Sequence, residues 1–166
     1  DASLTDGAEI SGTVTGPDGM MALEGIYVGA YSWNSEDQCW DGIALANTAV
    51  DGQYEISGLA AGTYRVQFSG NGDYLGEVYN DAADLDAGQD IPVPASATVE
   101  NIDASLALAS KISGMVTGPD GTTALEDIHV VAYSWNSEGW WDWIQSANTD
   151  AAGEYEIGGL AAGTYR

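Results

Sequence analysis

Apolar and polar residues alternate in short runs along this chain, and turn-forming residues cut the runs off. Ile10–Val14 alternates and stops at Gly16-Pro17-Asp18-Gly19, where proline presets one turn dihedral and glycine supplies a positive φ. Ile26, Val28 and Ala30 fall on one face of the next run, with Tyr27, Tyr31 and Trp33 on the other. Asp51-Gly52 leads into Tyr54-Glu55-Ile56, and Gly58-Leu59 and Gly62 punctuate before Tyr64–Phe68. Ile91–Val93, Ala97–Val99 and Ile102–Leu108 follow, and no stretch holds a helical period. This pattern predicts an all-β, antiparallel sandwich of about seven or eight short strands. Val14, Ile26, Val28, Ile56, Leu59 and Val66 are expected to point inward, on their period-2 spacing.

The pattern then starts again. Residues 10–36 and 112–138 are identical at 21 of 27 positions, offset by 102. After a one-residue deletion, residues 46–65 match 147–166 at 15 of 20 positions. Asp1-Ala2-Ser3-Leu4 recurs as Asp103-Ala104-Ser105-Leu106 at the same offset of 102. The chain therefore reads as a window on a tandem array. Residues 1–9 are expected to be the closing strand of a preceding repeat plus a junction, and 10–108 a complete repeat. Residues 109–111 form the next junction, and 112–166 an incomplete second repeat. Half a sandwich leaves an apolar face and open strand edges that something must cover. Two covers are open: more of the same polypeptide in a continuous array, or Asp1–Leu4 of a neighbouring copy added head to tail.

The motif I-S-G-x-V-T-G-P-D-G, then A-L-E-x-I-x-V-x-A-Y, then G-x-Y-E-I-x-G-L-A-A-G-T-Y-R resembles the carboxypeptidase regulatory-like repeat. The resemblance covers both units and is akin to the B-type repeats of bacterial collagen adhesins. It implies a prealbumin-like (transthyretin-like, Ig-like) sandwich and service as a stalk, spacer or accessory domain of a secreted protein. Adhesin repeats of that kind can carry a Lys–Asn isopeptide bond. The complete unit has no lysine, and Lys111 lies in the junction, so the chemistry of that bond is excluded there.

Charge narrows the reading. Three Lys+Arg against 26 Asp+Glu give a net charge of −23, which repels nucleic-acid phosphates and anionic lipid. Yet 45% of residues are hydrophobic, so the chain can build a core and is no disordered acidic tail. No apolar run approaches the length of a membrane span. A single cysteine (Cys39) and a single histidine (His129) argue against an internal disulfide, a zinc cluster or a catalytic triad. His129 stands where the other copy has Tyr27, on the outward face, and Cys39 stands where the other copy has Trp140. No enzyme activity is expected.

Two groups remain as candidate sites. Asp73, Glu77, Asp81, Asp84, Asp86 and Asp90 crowd one stretch and offer oxygen ligands suited to a hard cation such as calcium. Their spacing is not that of an EF-hand loop, and a solvated acidic loop explains them as well. The second group is aromatic: Tyr27, Tyr31, Trp33 and Trp40 in one unit, and Tyr133, Trp135, Trp140, Trp141 and Trp143 in the next. Exposed Trp and Tyr suit sugar stacking, an assembly contact, or local packing over the sheet. Together these readings predict a structural repeat of an extracellular or cell-surface stalk or filament, with other copies of itself as partners. The alternative is a carbohydrate-binding accessory repeat that recognises extracellular glycans.

Overall fold

A computed structural model describes residues 7–166, so the strand expected at Asp1–Leu4 lies outside the described residues. The chain divides into two compact units between Leu108 and Ala109. The first holds nine strands: β1 (Ala8–Thr15), β2 (Tyr27–Asn34), β3 (Cys39–Asn47), β4 (Gln53–Leu59), β5 (Gly62–Phe68), β6 (Glu77–Val78), β7 (Ile91–Val93), β8 (Thr98–Val99) and β9 (Ala104–Ser105). One sheet runs β4-β1-β8, with β9 also on β1; the other runs β3-β2-β5-β6, with β7 also on β5. One hydrophobic cluster draws on both sheets, which makes the unit a sandwich.

Period-2 spacing put Val14, Ile26, Val28, Ile56, Leu59 and Val66 inward, and all six are buried. Phe68, Val78 and Leu106 join them with no exposed surface at all. Two features depart from the sequence reading. The strand count is nine, because β6, β8 and β9 are two-residue strands that alternation does not resolve. The sandwich is also not purely antiparallel: β8 and β9 both run parallel to β1. Parallel neighbours cannot be joined by a tight hairpin, and here more than eighty residues of chain separate β1 from β8.

Polar atoms inside are paired. Thr48, 4% exposed, donates its hydroxyl to the Leu23 carbonyl (2.5 Å) and accepts from the Ile26 amide (2.9 Å). The Tyr54 hydroxyl donates to the Ile102 carbonyl at 2.6 Å. That carbonyl sits so close to Gly12 that a Cβ there would lie 2.2 Å from it, and this near-contact requires glycine.

The second unit repeats the scheme as far as it goes: β10 (Ser110–Met115), β11 (His129–Trp135), β12 (Trp141–Asn148) and β13 (Glu154–Leu160). β10 takes in Ser110 and Lys111, which the sequence reading placed in the junction. Its pairing with β13 sets Ile112 against Ile157, as β1 with β4 sets Ile10 against Ile56. The core is much smaller, with only Ala132, Ile157 and Leu160 in its buried cluster. Val14 has no exposed surface, whereas its counterpart Val116 is half-buried, and Ile128 is 38% exposed where Ile26 is fully buried. Nearly the same sequence is thus less enclosed, because the strands that close the first unit have no counterpart among residues 109–166.

Candidate functional site

The two candidate groups of the first unit meet around a residue that neither included. Arg65 lies on β5, and its guanidinium stands 4.4 Å from the Trp40 ring centroid. Its Nε donates to Asp90 Oδ1 at 2.7 Å, and its Nη1 donates to the carbonyls of Leu85 and Asp86, the latter at 2.9 Å. Trp40 Nε1 in turn donates to Asp86 Oδ1 at 2.8 Å. Trp33 meets Trp40 edge to face, with ring centroids 5.3 Å apart and planes at 65°. The side chain of Arg65 is only 16% exposed, so these charge-assisted bonds fasten the acidic loop over the outer sheet. Beside the cluster lies an open cavity of about 700 Å³, edged by Trp33, Trp40, Tyr64, Arg65 and Asp90.

The same cluster recurs in the second unit. Trp135 and Trp141 meet edge to face at 5.0 Å and 64°, and Arg166 stands 4.5 Å over the Trp141 ring. Trp135, Trp141 and Arg166 edge an open cavity of about 450 Å³. Trp140 and Trp143, 69% and 56% exposed, occupy the positions of Cys39 and Gly42 and have no aromatic counterpart in the first unit. Tyr27 is exposed on the outer face, and the Tyr31 ring lies over Gly29, where a Cβ would come within 2.8 Å of it. Val131 takes the place of that glycine in the second unit, and Tyr133 there is 38% exposed. In both units the paired Trp rings are steeply inclined, and arginine covers one face of one ring. They therefore do not form a shared flat platform for a sugar.

The six acidic candidates do not gather at one point among the described residues. Glu77 is in β6, opposite Phe68, with burial and then the nearby Asp81 raising its carboxyl above the usual range. Asp81 has a positive φ of 59°. Asp84 accepts from the Ala87 amide, and Asp86 and Asp90 are held by Trp40 and Arg65. The backbone amide of Asp73 donates to Asn71. Among the described residues, no three His, Cys, Asp or Glu side chains gather into a metal-holding group. At least four of the six carboxylates, those of Glu77, Asp84, Asp86 and Asp90, already accept hydrogen bonds inside the unit, and calcium would compete with those donors. His129 is exposed, as its exchange with Tyr27 implied. Cys39 is exposed also, with desolvation and Asp41 holding its thiol above the usual range.

Arg65 was the residue that sequence reasoning missed. A signal was available: it is the only Lys or Arg in residues 10–108, and Arg166 repeats it.

No protein family matches the chain by sequence profile, and no curated protein matches it. Solved structures do resemble it in fold. A streptococcal ancillary pilin has a TM-score of 0.50 at 14% identity, covering 96% of this chain and 52% of its own. The Bacillus anthracis TIE protein has a TM-score of 0.42 at 17% identity, covering 92% of this chain and 26% of its own. The shaft pilin SpaA from Lactobacillus rhamnosus GG has a TM-score of 0.38 at 15% identity, covering 98% and 86%. The chain thus spans about half the length of the first and about a quarter of the second. At these identities the likeness is one of fold: an all-β sandwich.

Proposed function

We propose that this chain is part of the shaft of an extracellular or cell-surface filament or stalk, built from tandem sandwiches and without catalytic activity. One observation carries the reading. The same strand scheme, register and Trp–Trp–Arg cluster recur in consecutive units, with only four residues between β9 and β10. So short a joint spans little distance and favours a continuous series of units over separately acting domains. The sandwich fold of a streptococcal ancillary pilin supports the same direction. The carboxypeptidase regulatory-like resemblance, which implies stalks and spacers, agrees with it. A second reading rests on the open cavities beside Trp33 and Trp135, which leave room for a glycan at each unit.

Negative-stain microscopy of the full-length product on its native cells separates the two readings, together with glycan-array binding. Thin filaments labelled at regular intervals by an antibody against residues 10–108 are expected. Compact unlabelled surfaces, with glycan binding that Trp33→Ala abolishes, would replace the shaft by a sugar-binding repeat.

A further inference from the structure

The outer face of the β3-β2-β5-β6 sheet carries polar groups that the fold leaves without partners. Tyr64 and Val66 of β5 are buried, so the pleat turns Thr63 and Arg65 outward, and Arg65 stands opposite Tyr31 of β2. Trp33, two residues further along β2, is 51% exposed. These side chains, with Ser32 and Asp90, edge the open cavity of about 700 Å³, a size in the range of small-ligand sites.

Arginine has five N–H groups to place. Nε of Arg65 donates to Asp90 Oδ1, and Nη1 donates to the Leu85 and Asp86 carbonyls, which leaves both hydrogens of Nη2. Nη2 has no acceptor among the described residues. No buried side-chain nitrogen or oxygen among them lacks a partner, so Nη2 reaches solvent. Asp90 is in the same position. Its Oδ1 holds Nε, while Oδ2 has no donor among the described residues, and its side chain is 59% exposed. An anchored donor therefore stands next to an anchored acceptor at the wall of the cavity.

This pairing sorts ligands. A hydroxyl both donates and accepts, so hydroxyls on neighbouring carbons answer both groups at once: one accepts from Nη2, the other donates to Oδ2. The Trp33 indole offers an apolar surface to the C–H groups of a sugar ring. Charge narrows the choice. One guanidinium is set against the carboxylates of Asp86 and Asp90, in a chain of net charge −23, which repels uronic acids and sulfated sugars. We propose that this cavity binds an uncharged sugar ring through two adjacent hydroxyls, held between Arg65 Nη2 and Asp90 Oδ2, with Trp33 beside the ring. The inference rests on the glycan reading and names the chemical class of its ligand; it is compatible with a shaft.

Methyl glycosides of glucose, galactose and mannose, each with a run of adjacent ring hydroxyls, test it by NMR titration of the whole 166-residue chain. At least one is expected to move the Trp33 indole and Arg65 Nε–H signals, with a dissociation constant on the order of millimolar for a single ring on an open surface. The analogue lacking the middle hydroxyl of the run has no adjacent pair left, and is expected to bind about tenfold more weakly or worse. The uronic acid form is expected to lose a similar factor. Asp90→Asn keeps an oxygen for Arg65 Nε but removes a negative charge, so it is expected to narrow the gap between the uronic acid and its neutral parent. Read at Arg65, Trp33→Phe is expected to retain part of the affinity that Trp33→Ala loses. No shift at either residue with any of the three glycosides overturns the proposal. Equal affinity for the deoxy analogue or for the uronic acid overturns it too. Either failure leaves the glycan reading to its own test on the glycan array, and neither touches the shaft.

Discussion

Thr48 is a polar side chain set in the core, where it joins the Leu23 carbonyl to the Ile26 amide. Thr48→Val keeps the shape but leaves both backbone groups buried without a partner, at a cost of about 2–4 kcal/mol. The midpoint of denaturant unfolding is expected to fall with an unchanged slope. Thr149 makes the same two bonds in the second unit, but they are only part-buried, so Thr149→Val is expected to cost less. Glycines give a parallel contrast. Gly12→Ala forces the Ile102 carbonyl to move, an overpacking cost of about 1–3 kcal/mol. Gly114→Ala meets only the Tyr155 ring, which can turn away, and is expected to be milder. Tyr54 links residue chemistry to pH. Burial, then the charge of Asp103, holds its hydroxyl far above the usual phenol range. Above about pH 10 the unfolded chain gives up that proton and the folded unit does not, so stability falls as pH rises. Tyr54→Phe is expected to remove this alkaline slope from thermal melts, although it also sacrifices the bond to Ile102.

Elements are held by groups far apart in sequence. Arg65 binds β5 to the loop over residues 85–90 and to Trp40 of β3. Arg65→Gln is expected to lower the stability of the first unit by about 1–3 kcal/mol. It should also quicken hydrogen exchange at Ala87 and Gly88, while β1 and β4 keep their protection. Alternation in Tyr27–Trp33 or Tyr54–Ile56 reveals a strand and its inward side, because the pleat turns side chains to opposite faces. It does not reveal the partner, so the parallel placement of β8 and β9 on β1 was out of its reach. Val78 shows a second limit. It is fully buried inside a run read as an acidic loop, since a two-residue strand is too short to show a period. The aromatic residues were visible as a group, but their tie to Asp86 and Asp90 was not. Trp40 and Asp86 are 46 residues apart, and no local pattern encodes so distant a bond.

At the scale of the whole molecule, a net charge of −23 sets like charges against each other across every surface. Repulsion of this kind is relieved by screening, so melting temperature is expected to climb with sodium chloride. The dispersed carboxylates predict that calcium adds nothing beyond its ionic strength. Melts in calcium chloride and in sodium chloride of matched ionic strength are expected to coincide. A calcium-specific rise would mean that the segment from Asp73 to Asp90 rearranges to gather its side chains.

The parallel seating of β9 on β1 also decides how a unit answers to being pulled. Tension enters at the start of β1 and leaves at the end of β9, opposite ends of two strands that point the same way. Such a pair is loaded in shear. The bonds from the Ile102 amide to Ser11, from the Thr13 amide to the Asp103 carboxylate and from the Leu106 amide to Thr15 share the load and must fail nearly together. An antiparallel closing strand would instead be peeled away one bond at a time. Force spectroscopy on residues 7–108 is expected to give one high rupture peak. Ser105→Ala, which removes the hydroxyl tie from β9 to the Gly16 carbonyl, should lower that peak by more than it lowers the thermal midpoint.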